Sequence, residues 1–282
     1  MNNRPIGIFD SGLGGLTCIP YLMKALPNEE IIYFGDTART PYGSKAVSTI
    51  REFSQEITDF LIENDVKMIV VACNTISSTC LEDLRSRYPD LPVLGIISPA
   101  AREAVKICNA NNHIGIIGTR ATILSDAYRK KMLSLNSSMN IHQEACPALV
   151  PLIEEGIIEN EIMDLTIRYY LDTFITNNRI DALILGCTHY PLIRKNIERL
   201  YAGLRIIDPS EEVLVSIIDT LSKYDLYANH NIGEHTFYAS DLSENFKRMV
   251  DRIFLETEYN ISIKCMNLDK RHAVFRRITK LT

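Results

Sequence analysis

The chain of 282 residues has no apolar run long enough to cross a membrane as a helix. It enters an apparent strand within its first few residues, so we expect no signal peptide. Its formal net charge is −5, and the lack of excess positive charge argues against a nucleic-acid-binding protein. We therefore expect a cytoplasmic protein that has neither a membrane nor a nucleic acid as its partner.

Close cysteine pairs are also missing, since none of the seven cysteines forms a C-x-x-C motif. This absence argues against a thiol–disulfide enzyme, and the odd count without an export signal indicates reduced thiols. The spacing of His230 and His235 resembles that of metal ligands, but no cysteine pair accompanies them. We expect both imidazoles to face solvent, and we expect no metal centre.

A phosphate-binding signature is absent too, although residues 10–15 (D-S-G-L-G-G) form a glycine-rich turn after a predicted strand. There is no G-K-[ST], and a G-x-G-x-x-G pattern from Gly12 would need a glycine where Thr17 stands. Glycines at a helix start still let backbone N–H groups approach a small anion. Asp10 and Ser11 are either part of such a site or an ordinary N-cap pair.

What the sequence does contain is an alternation of short apolar runs and helical patterns, with 46% apolar and 23% charged residues overall. This alternation is typical of an α/β protein with parallel sheets, and the composition supports a sizeable core. The predicted strands lie at residues 5–9, 31–34, 67–72, 93–96, 113–119, 182–185, 205–207 and 236–238. The predicted helices lie at residues 16–26, 46–60, 193–200 and 210–223, with another from Leu242.

Two parts of the chain resemble each other. Residues 6–9 (I-G-I-F) and 114–117 (I-G-I-I) are alike, and each precedes an apolar run that leads into a cysteine. This similarity suggests an internal duplication. We expect two pseudo-symmetric, three-layer α/β lobes with mostly parallel sheets and an active site in the cleft between them. The expected first lobe is discontinuous and comprises residues 1–98 plus 209–282, and the second comprises residues 99–208.

Two cysteines occupy matched positions in these units. Cys73 follows residues 67–72 and Cys187 follows residues 182–185, and a helical pattern begins after each cysteine. Ligands of open α/β sheets bind at this end of the strands, and a helix start is expected to lower a thiol pKa. A single free cysteine is more commonly a buried structural residue, but the matched settings favour a functional pair.

Two thiols on opposite sides of a cleft can invert a stereocentre. One removes the α-proton from one face as a thiolate, and the other returns a proton to the opposite face. The carbanion between these steps needs positioned donors in a site that excludes water. The alternative is a nucleophile of the cysteine-protease type made of Cys187 and His189, which would leave Cys73 without a role.

Four motifs carry a resemblance to a known family: residues 10–15, residues 35–43 (G-D-T-A-R-T-P-Y-G), residues 72–75 (A-C-N-T) and residues 185–191 (L-G-C-T-H-Y-P). Together and in this order they resemble the motifs of the glutamate racemases, in the cofactor-independent aspartate/glutamate racemase superfamily. The resemblance implies interconversion of L- and D-glutamate without pyridoxal phosphate or metal, which supplies D-glutamate for peptidoglycan. It also implies a homodimer whose small-molecule partner is glutamate.

The resemblance further implies a role for each matched residue. Cys73 and Cys187 would each act on one enantiomer, with Asp10 assisting Cys73, and His189 and Glu154 assisting Cys187. The implied substrate-binding residues are Asp10, Ser11, Tyr42, Gly43, Asn74, Thr75, Thr119, Thr122, Thr188 and His189. The alternatives are loop packing for Tyr42, an exposed helix charge for Glu154, and helix capping for Asn74, Thr75 and Thr188.

Some features stand apart from these motifs. Ser210 replaces the glycine that is more usual in the family, which puts the local turn in doubt, and the basic tail from about residue 260 matches less well. The helical spacing of Val274, Ile278 and Leu281 in that tail indicates an interface helix or a frayed end.

The cysteines expected to serve only in packing are Cys18, Cys80, Cys108, Cys146 and Cys265. Two other functions remain open: a racemase for aspartate or another amino acid, and a non-catalytic amino-acid-binding module.

Overall fold

The computed structural model describes residues 2–229, 234–254 and 260–268, and the backbone of residues 272–274. Its strands are β1 (Ile6–Asp10), β2 (Ile31–Gly35), β3 (Met68–Val71), β4 (Val93–Gly95), β5 (His113–Gly118), β6 (Asn140–Ala145), β7 (Ile180–Gly186), β8 (Arg205–Ile207), β9 (His235–Ala239), β10 (Ile261–Asn267) and β11 (His272–Val274). Its α-helices are α1 (Ile19–Ala25), α2 (Val47–Glu63), α3 (Asn74–Thr79), α4 (Leu81–Arg87), α5 (Ile97–Ile107), α6 (Arg120–Ser125), α7 (Ala127–Leu135), α8 (Leu149–Glu154), α9 (Glu161–Asn178), α10 (Arg194–Leu200), α11 (Pro209–Lys223) and α12 (Glu244–Phe254). Short 3-10 helices cover Gly14–Cys18, Tyr42–Ser44 and Tyr190–Ile193. Within the described part of the chain, every helix is too short or too polar to span a membrane.

The strands form two sheets. The first has the order β11-β10-β9-β2-β1-β3-β4, and the second has the order β6-β5-β7-β8. Every strand pair is parallel except β10 with β11. The strands β1 to β4 and β5 to β8 follow the same spatial order, second–first–third–fourth, so the duplication suggested by the sequence is present in the topology.

Both sheets are covered by helices on both faces. In β1, Ile6 and Ile8 pack into one hydrophobic cluster while Phe9 packs into another on the opposite face. The first of these clusters extends to Leu183 and Leu185 of β7, so one continuous core joins the two sheets. Strands buried on both faces read as unbroken apolar runs, which is why the sequence predicted them well.

Helices from different parts of the chain cover these faces. Apolar residues of α2, α3 and α4 cover one face of the first sheet, and those of α5 and α7 cover one face of the second. Apolar residues of α1, α9, α11 and α12 belong to the cluster that joins the two sheets. The architecture is therefore α/β with two lobes. After α11 the chain returns to the first sheet, because β9 pairs in parallel with β2.

The structure differs from the sequence prediction in two helical segments. The first α-helix begins at Ile19, after a 3-10 helix over Gly14–Cys18, and not at Leu16. Pro20 lies in the first turn of α1, where its missing N–H is tolerated, whereas it would break a helix that began four residues earlier. In the tail, Val274 ends the short strand β11 and is not part of a helix. Ile278 and Leu281 lie outside the described residues.

Besides β11, two strands were not predicted. Strand β6 lies at the edge of the second sheet, and all six of its residues are only partly buried. Its sequence N-I-H-Q-E-A lacks the apolar run that marks a central strand. Strand β10 belongs to the part of the chain where the motif resemblance ends.

Candidate active site

The candidate site lies at the carboxyl ends of the first and third strands of each sheet, β1 with β3 and β5 with β7. In the first sheet β1 and β3 are neighbours, but β1 is followed by β2 on one side of the pair and β3 is followed by β4 on the other. The strands β5 and β7 are related to β6 and β8 in the same way. This reversal makes the crevice in which open α/β sheets bind ligands. Asp10 ends β1 and Cys73 follows β3, while Thr119 follows β5 and Cys187 follows β7.

The Cys73 thiol is buried at the start of α3, with 4% of the residue exposed. Its Sγ donates a hydrogen bond to Ser11 Oγ at 3.3 Å. Burial, reinforced by the negative charge of Asp10, raises the pKa of Cys73 to about 12. The start of α3 does lower this pKa, through the Ile76 backbone N–H, as expected, but the desolvation of a thiolate outweighs that effect. Burial therefore favours the neutral form of the Cys73 thiol.

The Cys187 thiol has a different set of neighbours. Its Sγ lies 3.8 Å from His189 Nδ1, and His189 Nε2 lies 3.1 Å from Glu154 Oε1. Burial lowers the pKa of His189, but hydrogen bonds and attraction to Cys187 and Glu154 outweigh it and raise that pKa to about 10. Glu154 is thus held against the imidazole, and the interpretation as a mere exposed helix charge is wrong.

Asp10 connects the two halves of the site. Its carboxylate is fully buried and accepts hydrogen bonds from Gly12 N at 3.0 Å and Thr188 Oγ1 at 3.2 Å. Burial raises the pKa of Asp10, and the nearby His189 opposes that rise. The N-cap interpretation is wrong, because the following 3-10 helix has Leu13 at its N-cap and no side-chain cap.

The loop after β2 is fixed through Asp36. The buried Asp36 carboxylate accepts hydrogen bonds from Tyr42 Oη, from Arg39 Nε at 2.7 Å and from Ser240 Oγ at 2.7 Å. Tyr42 is itself buried, which agrees with its interpretation as a packing residue of the loop. Next to it, Gly43 approaches the other lobe, since a Cβ on this residue would lie 2.7 Å from Thr119 Cβ.

Hydroxyls from both lobes meet beside these loops. Thr75 Oγ1 lies 3.0 Å from Thr119 Oγ1 and 3.5 Å from Thr122 Oγ1, and the last two oxygens are 3.1 Å apart. Thr119 also caps α6 by accepting a hydrogen bond from the Thr122 backbone N–H. Beside them, Asn74 Oδ1 accepts a hydrogen bond from Tyr128 Oη at 2.5 Å, while the buried Asn74 Nδ2 has no partner among the described residues. An unsatisfied buried donor is expected where a ligand oxygen binds.

The structure thus links the residues predicted from the sequence by contacts within each lobe and between the two lobes. The links are Cys73–Ser11, Asp10–Thr188, Cys187–His189–Glu154, Thr75–Thr119–Thr122 and Gly43–Thr119. Two supporting residues were missed. Tyr128, which holds Asn74, lies in α7 outside any motif and carries no sequence signal, whereas Asp36 lies within the 35–43 motif.

Comparison with known proteins identifies the family. A family model described as Asp/Glu/Hydantoin racemase matches residues 17–216. The chain belongs to this family. A glutamate racemase from Sulfurihydrogenibium sp. (strain YO3AOP1) is 44% identical over 246 residues, which is 87% of this chain and 92% of that protein. The family resemblance of the four motifs is confirmed, and this family member is an isomerase of the racemase class.

Solved structures agree with this membership. The crystal structure of glutamate racemase from Francisella tularensis in complex with D-glutamate is 37% identical, with a TM-score of 0.87, and covers 96% of this chain and 100% of that one. Glutamate racemase from Aquifex pyrophilus is 38% identical, with a TM-score of 0.75, covering 92% and 98%. Aspartate racemase from Picrophilus torridus is only 18% identical, with a TM-score of 0.51 over 80% of this chain and 100% of that one, so it shows the fold alone.

Four of the five remaining cysteines of this family member lie in the core. Cys18, Cys80, Cys108 and Cys146 are buried within hydrophobic clusters, as predicted, and Cys265 is partly exposed. Each of the seven cysteines is a free thiol.

Of the two histidines that resembled metal ligands, the structure describes His235. His235 is partly buried in β9, and its Nδ1 accepts a hydrogen bond from Ile31 N at 3.3 Å, so the expectation that it faces solvent is wrong. His230 lies outside the described residues. Among the residues that are described, no three His, Cys, Asp or Glu side chains form a cluster that could hold a metal ion.

The turn at Ser210 is regular. Asp208 is the N-cap of α11, and its Oδ1 accepts a hydrogen bond from Ser210 N at 2.8 Å. Pro209 occupies the first helical position, which its fixed φ suits. The helix therefore begins normally with serine in place of glycine, and the Ser210 side chain becomes available for another contact.

Proposed function

We propose that this family member interconverts L- and D-glutamate without a cofactor, with Cys73 and Cys187 as the two proton-transferring groups. The observation that carries the proposal is the equivalent placement of the two thiols, each directly after the third strand of its lobe. The Asp10–Thr188 hydrogen bond joins the two lobes beside them. The choice of glutamate as the substrate is supported by relatives named glutamate racemase, which are 37–44% identical to this chain. One of them was crystallised with D-glutamate.

In the proposed reaction, one sulfur is a thiolate when the other is a thiol. The thiolate takes the α-proton, which leaves a carbanion conjugated with the α-carboxylate, and the opposite thiol then gives its proton to the other face. The two sulfurs exchange protonation states in each turnover, so the reverse reaction uses the same groups in exchanged roles. Each cysteine therefore acts on one enantiomer.

The assisting residues fit these roles. A protonated His189 can donate a hydrogen bond to the Cys187 sulfur when that sulfur is charged, and Glu154 holds the imidazole in place. Asp10 lies close enough to Cys73 to raise its pKa, which favours the thiol that returns a proton. We propose that Asp10 and His189 assist Cys73 and Cys187, respectively.

The substrate carboxylates would be bound by neutral donors. We propose hydroxyls of Ser11, Thr75 and Thr188 and the unpartnered Asn74 Nδ2 as donors to the glutamate. Thr119 and Thr122 are proposed as contacts to the side-chain carboxylate, and Tyr42 and Gly43 as the loop that covers it. Neutral donors bind an anion without pinning the reactive thiolate to a permanent cation.

We also propose the biological setting that the family resemblance implies. The product D-glutamate would enter peptidoglycan in the cytoplasm, and the enzyme would act as a homodimer. The lobes would comprise residues 1–98 plus 209–282 and residues 99–208, with the first boundary in the opening turn of α5.

The test is turnover by the purified protein in D2O with L- or D-glutamate and no added cofactor. We expect racemisation with α-deuterium incorporation, and a loss of about 10³-fold or more in Cys73→Ser and in Cys187→Ser. Since the enantiomers have equal free energy, each variant must lose kcat/KM equally in both directions. Cys108→Ser is the matched control, because this thiol is also buried but lies near Asp181 and Arg205, at the amino ends of β7 and β8.

The outcomes separate the alternatives. Near-normal turnover by either variant would refute the two-thiol mechanism. Faster racemisation of aspartate than of glutamate would identify the aspartate racemase instead. Saturable glutamate binding without deuterium incorporation would identify a non-catalytic binding module.

A further inference from the structure

Thr17 occupies a junction of three segments in the core of the molecule. Its Oγ1 lies 2.8 Å from Gly14 O, 3.3 Å from Thr188 O and 3.1 Å from Ser210 Oγ. Gly14 belongs to the turn after β1, Thr188 to the loop after β7 and Ser210 to the first turn of α11. Both hydroxyl-bearing residues, Thr17 and Ser210, are more than nine-tenths buried.

The number of protons and acceptors at this junction determines which hydroxyl donates in the Thr17–Ser210 hydrogen bond. A hydroxyl has one proton to donate and can accept two. The Gly14 and Thr188 carbonyls can only accept, so the Thr17 proton is shared between them. The Ser210 hydroxyl must then donate to Thr17 Oγ1. The Ser210 hydroxyl therefore supplies the hydrogen bond that orients Thr17.

The junction lies directly behind the reacting groups. Thr188 is held at its carbonyl by Thr17 and at its side chain by Asp10. His189, the next residue, lies against the same turn, because a Cβ on Gly14 would be 2.6 Å from His189 Nδ1. A shift of the Thr188 carbonyl would therefore move both the Asp10 contact and the imidazole beside Cys187.

We propose that Thr17 and Ser210 are positioning residues that hold the Cys187–His189 loop of one lobe against the Asp10 turn of the other. This inference rests on the proposed racemase function. Neither hydroxyl contacts a proposed proton-transferring group. They act through the Thr188 backbone, and they join the lobes at the point where α11 begins.

The test compares Thr17→Val, which removes the hydroxyl at nearly constant shape, with Thr17→Ser, which keeps it. We expect Thr17→Val to lower kcat for glutamate by about tenfold with KM little changed, because a misplaced general base slows chemistry more than it weakens binding. Thr17→Ser should restore most of kcat. Ser210→Ala should show a smaller loss in the same direction.

Thr58→Val is the matched control. Thr58 is fully buried, and its hydroxyl donates to Ser54 O within α2, so its loss costs stability without touching the site. The inference is overturned if Thr17→Val and Thr58→Val have equal kcat, if Thr17→Ser fails to restore activity, or if only KM changes. Failure of the wild-type enzyme to racemise glutamate would instead refute the proposed function, so the two failures are distinct.

Discussion

At the scale of single residues, the two thiols are set apart by the charge of their neighbours. Cys73 lies near a buried carboxylate and donates to a neutral hydroxyl, while Cys187 lies beside an imidazole that is charged at neutral pH. A base and an acid can be told apart by such environments. The asymmetry suits a resting enzyme in which Cys73 holds its proton and the charged His189 faces the other sulfur.

The raised pKa of His189 predicts an alkaline limit to activity. Since this pKa is raised from 6.5 to about 10, the imidazolium persists at neutral pH and is lost as the pH rises through about 10. We expect kcat/KM of the wild type to fall as the pH rises through about 10, which gives the pH–rate profile an alkaline limb. In His189→Gln the rate should be lower by about 10²-fold, and the limb near pH 10 should disappear.

The measurement is a pH–rate profile from pH 6 to 11.5, in which racemisation is monitored by the circular dichroism of glutamate. His235→Gln is the matched control, because burial lowers the pKa of this histidine, which lies in β9. An unchanged limb at pH 10 in His189→Gln would show that another group controls it.

At the scale of elements, the glycine turn after β1 works by lying against the loop after β7. A Cβ on Gly14 would be 2.3 Å from Thr188 Oγ1 and 2.9 Å from the Thr188 carbonyl carbon. The second of these atoms belongs to the backbone, so a side chain at Gly14 cannot be accommodated by rotation of one side chain alone. Glycine is needed here for close approach between the lobes.

We therefore expect Gly14→Ala to lower kcat/KM by about 10²-fold, because it displaces Thr188 and His189 relative to Asp10. Gly7→Ala is the control, since the three atoms nearest to its Cβ would all belong to the Val66 side chain, at 3.1–3.3 Å. Steady-state kinetics and far-UV circular dichroism of both variants check this. Gly14→Ala activity within about threefold of the Gly7→Ala activity would mean that the two loops do not depend on this contact.

The sequence predicted the central strands, which are buried on both faces, and missed the partly buried edge strand β6. These strands contain unbroken apolar runs, at residues 6–9 in β1, 68–71 in β3 and 182–185 in β7, because both sheet faces are covered, so they could be recognised directly. Strand β6 could not, because its edge position tolerates His142, Gln143 and Glu144. Propensity does not distinguish such a strand from a loop.

The candidate site was predictable in its residues but not in its electrostatics. The matched placement of Cys73 and Cys187 followed from the pattern of strand, cysteine and helix. The raised pKa of Cys73 did not follow, because it depends on burial and on the distance to Asp10, which the sequence does not contain. Tyr128 and Thr17 were missed for the same reason, since their roles are defined by partners far away in the chain.

At the scale of the whole molecule, the first sheet combines strands β1–β4 with strands β9–β11 from the end of the chain, so contacts between these distant segments hold it together. Lys67, just before β3, forms an ion pair with Glu29, and both side chains are almost fully buried. Lys67 Nζ also donates to Asn2 O at 2.8 Å and to Leu226 O at 2.7 Å. Glu29 Oε1 accepts from the Ala228 backbone N–H at 2.9 Å. One buried pair thus joins the amino-terminal segment, β3 and the chain that returns from α11.

We expect Lys67→Met to destabilise the protein by about 3–5 kcal/mol, because it leaves the Glu29 carboxylate buried without its cation. The double variant Lys67→Met/Glu29→Gln should recover part of this loss, since a neutral amide is cheaper to bury. Urea unfolding measures both, and kcat of the folded fraction should stay near wild type because the pair lies at the amino ends of the strands. Equal stability of the single and double variants would mean that the carboxylate is not held by Lys67. A Lys67→Met variant as stable as wild type would mean that the pair does not tie the returning chain to the sheet.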